Sequence, residues 1–177
     1  MADIIKTATR DAYGKALIEL GHKDKNVIVM DSDLAEATRT GKFKKEFPDR
    51  FFDSGIAECD MMCIAAGLAA TGHTVFASSF AMFAAGRAFE QIRNSIAYPN
   101  LNVKIGATHA GISVGEDGAS HQCCEDIALM RSIPNMVILN PADDVEARLC
   151  VLAAAEHDGP VSVSYTHLRA HETDSYL

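Results

Sequence analysis

The chain has 177 residues, of which 48% are hydrophobic and 23% charged, and its net charge is −8, from 16 Lys and Arg against 24 Asp and Glu. This length and composition predict a single folded domain rather than a disordered chain. The acidic balance argues against nucleic acid and anionic lipid as main partners, because both attract basic surfaces. No apolar run reaches the roughly 18 residues that span a bilayer, and the N-terminus lacks the pattern of a secretory signal. We therefore expect a cytoplasmic protein without a membrane partner.

The cysteine pattern favours reduced thiols. None of the five cysteines belongs to a Cys-x-x-Cys pair, and two of them are adjacent, which disfavours a disulfide between them. Zinc held by Cys59, Cys63 and the Cys/His group at 121–124 is an alternative, but structural zinc sites usually have tighter paired spacings. We expect no metal ligand in this chain.

Hydrophobic periodicity predicts alternating helices and strands along the chain. In chain order the predicted elements are helix 4–20 (stopped by Gly21), strand 27–30, strand 50–53, helix 57–70, strand 74–77, helix 80–97, strand 102–108, helix 123–131, strand 136–139, helix 143–156 and a sixth strand near 161–163. Six strand-like runs separated by helices predict an α/β fold with a mainly parallel six-stranded sheet and helices on both faces.

Polar residues follow four of the predicted strands where each strand ends. They are Asp31 and Asp33, the segment 55–58, Ser78 and Ser79, and Thr108 and His109. Ligands of open parallel sheets bind at the carboxyl ends of the strands. The sequence therefore predicts a functional site at this edge of the sheet.

The C-terminal segment differs from the rest of the chain. Residues 164–177 show neither strand nor helix periodicity and are similar to translated adaptor sequence at the end of a truncated reading frame. We predict a domain over residues 1–163 and a tail over 164–177 that is not native to it. A genuine polar tail is the alternative, since chain termini are often disordered.

Glu58 carries the most specific functional signal. By itself it is a carboxylate in the first turn of a helix, where the helix dipole stabilises negative charge. However, the segment 55–58, the apolar residues 61–69 after it and the polar segment 108–122 together resemble the pyrimidine-binding part of transketolase. The resemblance covers residues 3–163, and segment 108–122 is more similar to transketolase than to deoxyxylulose-phosphate synthases. It implies the thiamine-diphosphate-binding fold.

In transketolases the glutamate that matches Glu58 hydrogen-bonds a ring nitrogen of the cofactor's aminopyrimidine, and so activates thiamine diphosphate. The resemblance further implies that Phe80 and Phe83 sandwich this ring, although two aromatic residues at helical spacing are more often core residues. Some transketolases have a third aromatic residue where this chain has Gly86. Asp33 and Leu34 match residues that line the cofactor near a subunit interface, while a turn or helix-cap role is the alternative for Asp33.

The same resemblance assigns the substrate contacts. His109, Asp117 and His121 match residues that orient the donor sugar, and the two histidines assist proton movements. Arg10 matches an arginine that binds the substrate's terminal phosphate, a task that suits a bidentate guanidinium; a solvated helix arginine is the alternative. A second phosphate-binding arginine is expected where the sequence has His167.

The chain lacks the Gly-Asp-Gly segment and paired asparagine by which thiamine enzymes hold the diphosphate with Mg²⁺ or Ca²⁺. The resemblance therefore implies the C-terminal subunit of a split bacterial-type transketolase, truncated, inactive without a diphosphate-binding partner subunit and assembled as a homodimer or heterotetramer. Such an enzyme transfers a two-carbon ketol group between sugar phosphates. The alternatives are a deoxyxylulose-phosphate synthase-like or other thiamine-dependent transferase subunit, and a non-catalytic assembly module.

Overall fold

The computed structural model describes residues 7–165 as a parallel α/β fold. Its strands are β1 (Val27–Asp31), β2 (Phe51–Asp53), β3 (Thr74–Phe80), β4 (Val103–Thr108), β5 (Val137–Leu139) and β6 (Val161–Ser164). They form one sheet in the order β2-β1-β3-β4-β6-β5, and every neighbouring pair is parallel. The predicted α/β class and six-stranded parallel sheet are confirmed.

The helices cover both faces of this sheet. They are α1 (Thr9–Lys23), α2 (Ala35–Thr38), α3 (Gly41–Glu46), α4 (Glu58–Ala70), α5 (Phe89–Gln91), α6 (Asp126–Arg131) and α7 (Asp144–Glu156). Two π-helical stretches, Met82–Arg87 and Ile92–Ala97, flank α5 and continue its path. One apolar cluster joins the sheet to α4 and the segment 82–97, and a second joins the opposite face to α1 and α7.

Several predicted boundaries shift because tertiary contacts override local pattern. The strand predicted over 74–77 continues to Phe80, since Phe80 is still paired with Thr108 of β4. The following helix consequently begins after residue 80, and the helix predicted over 123–131 begins only at Asp126.

The first helix begins at Thr9 and passes through the predicted stop at Gly21. Gly21 is a packing glycine: a Cβ at this position would lie 2.7 Å from the Phe43 ring and collide with Phe47. Because α1 begins at Thr9, Arg10 lies in the first turn of this helix rather than near its middle. Predicted residues 4–6 of this helix lie outside the described part of the chain.

The C-terminal boundary also shifts. Strand β6 ends at Ser164, and the buried Tyr165 ring lies 5.3 Å from the ring of Tyr13. The folded unit thus includes two residues beyond the predicted boundary at 163. Residues 166–177, including His167, lie outside the described residues. Across residues 7–165 no helix combines the length and hydrophobicity needed to cross a membrane.

Candidate active site

Glu58 is a buried carboxylate at the start of α4. Its residue is only 2% exposed, and its Oε2 atom accepts a hydrogen bond of 2.8 Å from Nη1 of Arg87. The Arg87 side chain is 50% exposed, so the guanidinium reaches the carboxylate from the open side of the site. A buried carboxylate is stable only when it is paired or hydrogen-bonded, and Arg87 supplies that pairing here.

An aromatic and imidazole cluster lies beside this ion pair. The Phe80 and Phe83 rings are nearly parallel, with an interplanar angle of 12° and centroids 6.0 Å apart. The His109 ring lies 4.1 Å from Phe80, and the His121 ring packs edge-on against Phe83 at 5.0 Å. The Arg87 guanidinium carbon lies 4.7 Å from the centroid of Phe83. The structure therefore brings together side chains from four separate segments.

The predicted sandwich of a ligand ring by Phe80 and Phe83 stays a prediction. A ring held between them needs roughly 7 Å, which is two van der Waals contacts of about 3.5 Å. The centroid distance in this structure is 6.0 Å, so the two rings would have to separate to admit a ligand ring between them. Here they form a joint aromatic wall.

His109 directly follows β4 and has a constrained backbone. Its backbone has φ +54°, its side chain is nearly buried, and Thr108 Oγ1 lies 3.0 Å from its Nδ1. Burial lowers the pKa of His109 to about 4, and the nearby positive charges of Arg10 and Arg39 act in the same direction. Arg10 Nη1 lies 3.5 Å from His109 Nε2. His109 is therefore a neutral imidazole at pH 7.

The glycine-rich loop carries the other two predicted substrate residues. Gly111 and Cys123 exchange backbone hydrogen bonds of 2.6 and 3.0 Å, which closes the loop at its base. Asp117 is exposed, and its charge partly offsets the lowered pKa of His109. His121 lies at the far end of the loop, where Ser120 Oγ is 3.0 Å from its Nδ1. The loop thus returns His121 to the aromatic cluster.

Asp33 and Leu34 line a separate cleft of about 680 Å³ between the end of β1 and α3. Asp33 has φ +62°, and its N–H donates to Asp53 Oδ1 at 3.0 Å. The cleft also carries both charge signs, from Glu36, Lys44, Lys45 and Asp53 among its lining residues. The structure does not place these two residues in the cluster around Glu58.

The contacts of two charged residues near this site were not predicted from the sequence. Arg87 had only one signal, its position four residues after Phe83 on the same helical segment. Asp31 was noticed as a strand end, but its role was not foreseen. It accepts hydrogen bonds from the hydroxyls of Thr38 and Thr40 at 2.7 and 2.8 Å, and from the Leu34 N–H at 2.6 Å. Burial raises the pKa of Asp31 to about 6 despite these bonds.

Metal ligation has no support in residues 7–165, where no group of three or more His, Cys, Asp or Glu side chains is placed to hold an ion. The cysteines of the zinc alternative, Cys59, Cys63, Cys123 and Cys124, are free thiols.

The fold and this cluster define a class: a parallel α/β domain with a polar and aromatic ligand site at the carboxyl edge of its sheet. The profile of the transketolase pyrimidine-binding domain matches residues 5–170. The chain therefore belongs to the transketolase family, of which it carries the pyrimidine-binding domain.

Named relatives agree with this assignment. A Methanocaldococcus jannaschii protein named as a transketolase C-terminal section is 61% identical over 154 residues, which are 87% of this chain and 49% of that protein. Human transketolase is 44% identical over 155 residues, which are 87% of this chain and 25% of the human enzyme. A solved inactive β4 tetramer of a split-gene transketolase is 56% identical, with a TM-score of 0.79 over 89% of this chain and 50% of that one. This chain thus spans about half the length of its split relatives.

Proposed function

We propose that this chain is the pyrimidine-binding subunit of a split transketolase, which transfers a two-carbon ketol group between sugar phosphates. The observation that carries the proposal is the buried Glu58 carboxylate beside the wall of Phe80 and Phe83. A buried carboxylate that is paired with Arg87 and lies next to a flat apolar surface suits a planar heterocycle with ring nitrogens. The donor set of the site therefore fits the aminopyrimidine of thiamine diphosphate.

Each residue of the site would have a separate role in binding or in proton transfer. Glu58 would share a proton with a ring nitrogen, and the aromatic wall would fix the ring plane and exclude water. When bound, thiamine diphosphate would supply the carbon nucleophile of the reaction. Neutral His109 can accept a hydrogen bond at one ring nitrogen and donate one from the other, which suits the substrate contacts proposed for it, His121 and Asp117. Arg10, beside His109, is placed to meet a substrate phosphate.

The rest of the site would come from a second polypeptide. A diphosphate-binding subunit would hold the cofactor's diphosphate with Mg²⁺ or Ca²⁺, and the assembly would be a homodimer or a heterotetramer. The similar split-gene structure is described as inactive when its β chains form a tetramer. We infer that this chain is likewise inactive until its partner joins it. Asp33 and Leu34 would then reach the cofactor from the neighbouring cleft.

The test is a substitution of Glu58 in the assembled enzyme. The chain would be co-expressed with its diphosphate-binding partner, and ketol transfer from a ketose phosphate to an aldose phosphate would be measured. Glu58→Gln keeps the shape of the side chain but removes its charge, so we expect turnover to fall at least about 100-fold. Asp60→Asn is the matched control, because Asp60 is an exposed carboxylate in the same turn of α4.

Size-exclusion chromatography of both variants would check that assembly is unchanged. Near-normal turnover of the assembled Glu58→Gln enzyme would refute the role proposed for Glu58. Absence of ketol transfer in the wild-type assembly would refute the proposed function as a whole.

A further inference from the structure

The Arg87 guanidinium makes two contacts at the centre of the site. Its Nη1 atom donates to Glu58 Oε2 at 2.8 Å, and its central carbon lies 4.7 Å from the centroid of the Phe83 ring. Within residues 7–165, Arg87 is the one side chain with a hydrogen bond to the Glu58 carboxylate. The planar Arg87 guanidinium thus contacts both the Glu58 carboxylate and the Phe83 ring.

These are the same two contacts that an aminopyrimidine would make under the proposed function. A guanidinium and an aminopyrimidine are both flat and both carry an N–C–N unit with hydrogen-bond donors. Each can bond a carboxylate with one edge and lie against an aromatic ring with its face. Since two groups cannot fill one space, binding of the heterocycle at Glu58 and Phe83 requires the guanidinium to leave.

We propose that Arg87 is a positioning residue that holds the aminopyrimidine's place at Glu58 in the cofactor-free chain and withdraws when the cofactor binds; this inference rests on the proposed function. While in place, Arg87 pairs with the buried carboxylate at 2.8 Å and directs it toward the site. An unpaired charge at a position that is 2% exposed would otherwise disfavour the fold.

The structure gives Arg87 the freedom to withdraw. Half of its side chain is exposed, and it borders an open depression of about 500 Å³ that is also lined by Phe83, Ser120 and Gln122. Its backbone stays near α4, because the Arg87 carbonyl oxygen lies 3.6 Å from Cys59 Sγ. It also ends a π-helical stretch, a form that is frequent at functional sites. The side chain can therefore move while its backbone remains in place.

The first test measures binding of the heterocycle alone. The full chain would be titrated with 4-amino-2,5-dimethylpyrimidine, and binding would be followed by NMR. Arg87→Met keeps the length and apolar stem of the side chain but frees the site, so we expect at least about 5-fold tighter binding than in the wild type, because self-occupancy lowers the competent fraction. Arg87→Lys, which keeps the charge, should bind close to the wild type. Arg93→Met, an exposed arginine of the same helical segment, is the matched control.

Equal or weaker binding by a folded Arg87→Met variant would overturn the proposal, with folding checked by circular dichroism. Should Arg87→Met fail to fold, the wild type provides a second measurement. The Arg87 guanidinium signals should be protected from exchange in the cofactor-free assembly and lose this protection when thiamine diphosphate is added. Protection that persists in the cofactor-bound enzyme would overturn the proposal.

The outcomes separate this inference from the proposed function. If the wild-type assembly transfers ketol groups and Glu58→Gln abolishes the transfer, but Arg87→Met does not bind the pyrimidine more tightly, only the role of Arg87 is wrong. If the wild-type assembly binds no thiamine diphosphate, both proposals are wrong.

Discussion

His109 shows how the site sets the state of a single residue. The exposed imidazole of an ordinary histidine has a pKa near 6.5, whereas burial and the charge of Arg10 lower the pKa of His109 to about 4. The folded chain therefore binds a proton at His109 less readily than the unfolded chain. A neutral imidazole next to a guanidinium can still contact a sugar hydroxyl, and it avoids the repulsion that a second positive charge would cause.

The lowered pKa of His109 predicts that the stability of the folded chain depends on pH. A depressed folded pKa contributes stability that is present above about pH 6.5 and is lost as the pH falls through about 4. Between pH 7 and 5 we expect His109 to account for a loss of about 2 kcal/mol in the free energy of unfolding. His109→Asn, which tolerates the positive φ, should lose correspondingly less in urea titrations at the two pH values. An NMR titration that gives His109 a pKa above 6 would contradict this prediction.

Gly86 marks the place where the expected third aromatic residue is absent. A Cβ at Gly86 would collide with the terminal methyl group of Met82, so a methionine thioether fills that space. The flexible side chain of Met82 is well suited to such a gap. The departure from other transketolases therefore leaves a different packing group at this point.

At the scale of elements, close approach of α1 to the sheet depends on one glycine in β4. A Cβ at Gly106 would lie 2.8 Å from Ser78 Oγ and collide with the hydroxyl of Tyr13, which is hydrogen-bonded to Ser78 at 2.7 Å. The glycine thus leaves room for a buried hydrogen bond between helix and sheet. Burial raises the pKa of Tyr13, so this hydroxyl stays protonated, and either hydroxyl of the pair can donate the hydrogen bond.

A pair of glycine substitutions tests this packing. Gly106→Ala should lower the free energy of unfolding by about 2 kcal/mol, because overpacking forces α1 away from β4. Gly67→Ala should raise it by about 0.5–1 kcal/mol, because Gly67 lies in the exposed interior of α4 with open space at its Cβ position, and alanine is the better helix former. Urea unfolding measures both. A Gly106→Ala variant that is as stable as the wild type would contradict the role of Gly106 in the close approach of α1 to the sheet.

At the scale of the whole molecule, the proposed function makes the described residues only part of a site. The net charge of −8 opposes an anionic substrate, yet the start of α1 collects positive charge. Arg39 and Lys42 both pair with Asp11, at 3.1 and 2.8 Å. Arg10 directly precedes Asp11 in the sequence. These local cations can thus attract a phosphate in spite of the negative net charge of the chain.

For the isolated chain we predict how well it binds thiamine diphosphate without a second subunit. Because the proposed diphosphate contacts belong to another subunit, and we propose that Arg87 occupies the pyrimidine position, the isolated wild-type chain should bind thiamine diphosphate weakly or not at all. Calorimetry should detect tight binding only after the diphosphate-binding subunit is added. Micromolar binding by the isolated chain would contradict the division of the site between two polypeptides.

The sequence by itself determined the fold class, because the order of apolar runs and the polar residues at their ends are local patterns. Through the resemblance of three short segments to transketolase, it also predicted Glu58, Phe80, Phe83, His109 and His121 as members of one site. The limits of helices and strands were less predictable. Gly21 lies inside a helix and Phe80 inside a strand because partners far along the chain pack against them.

Only the tertiary structure decided which charged groups of the site pair with one another and which side chain lies against Glu58. Glu58 and Arg87 are 29 residues apart, and Arg10 and His109 are 99 residues apart. No local pattern encodes such pairs, since each depends on how the sheet brings strand ends and helix starts together. Burial then changes what these groups can do, because removing a charge from water alters its pKa and its need for a partner.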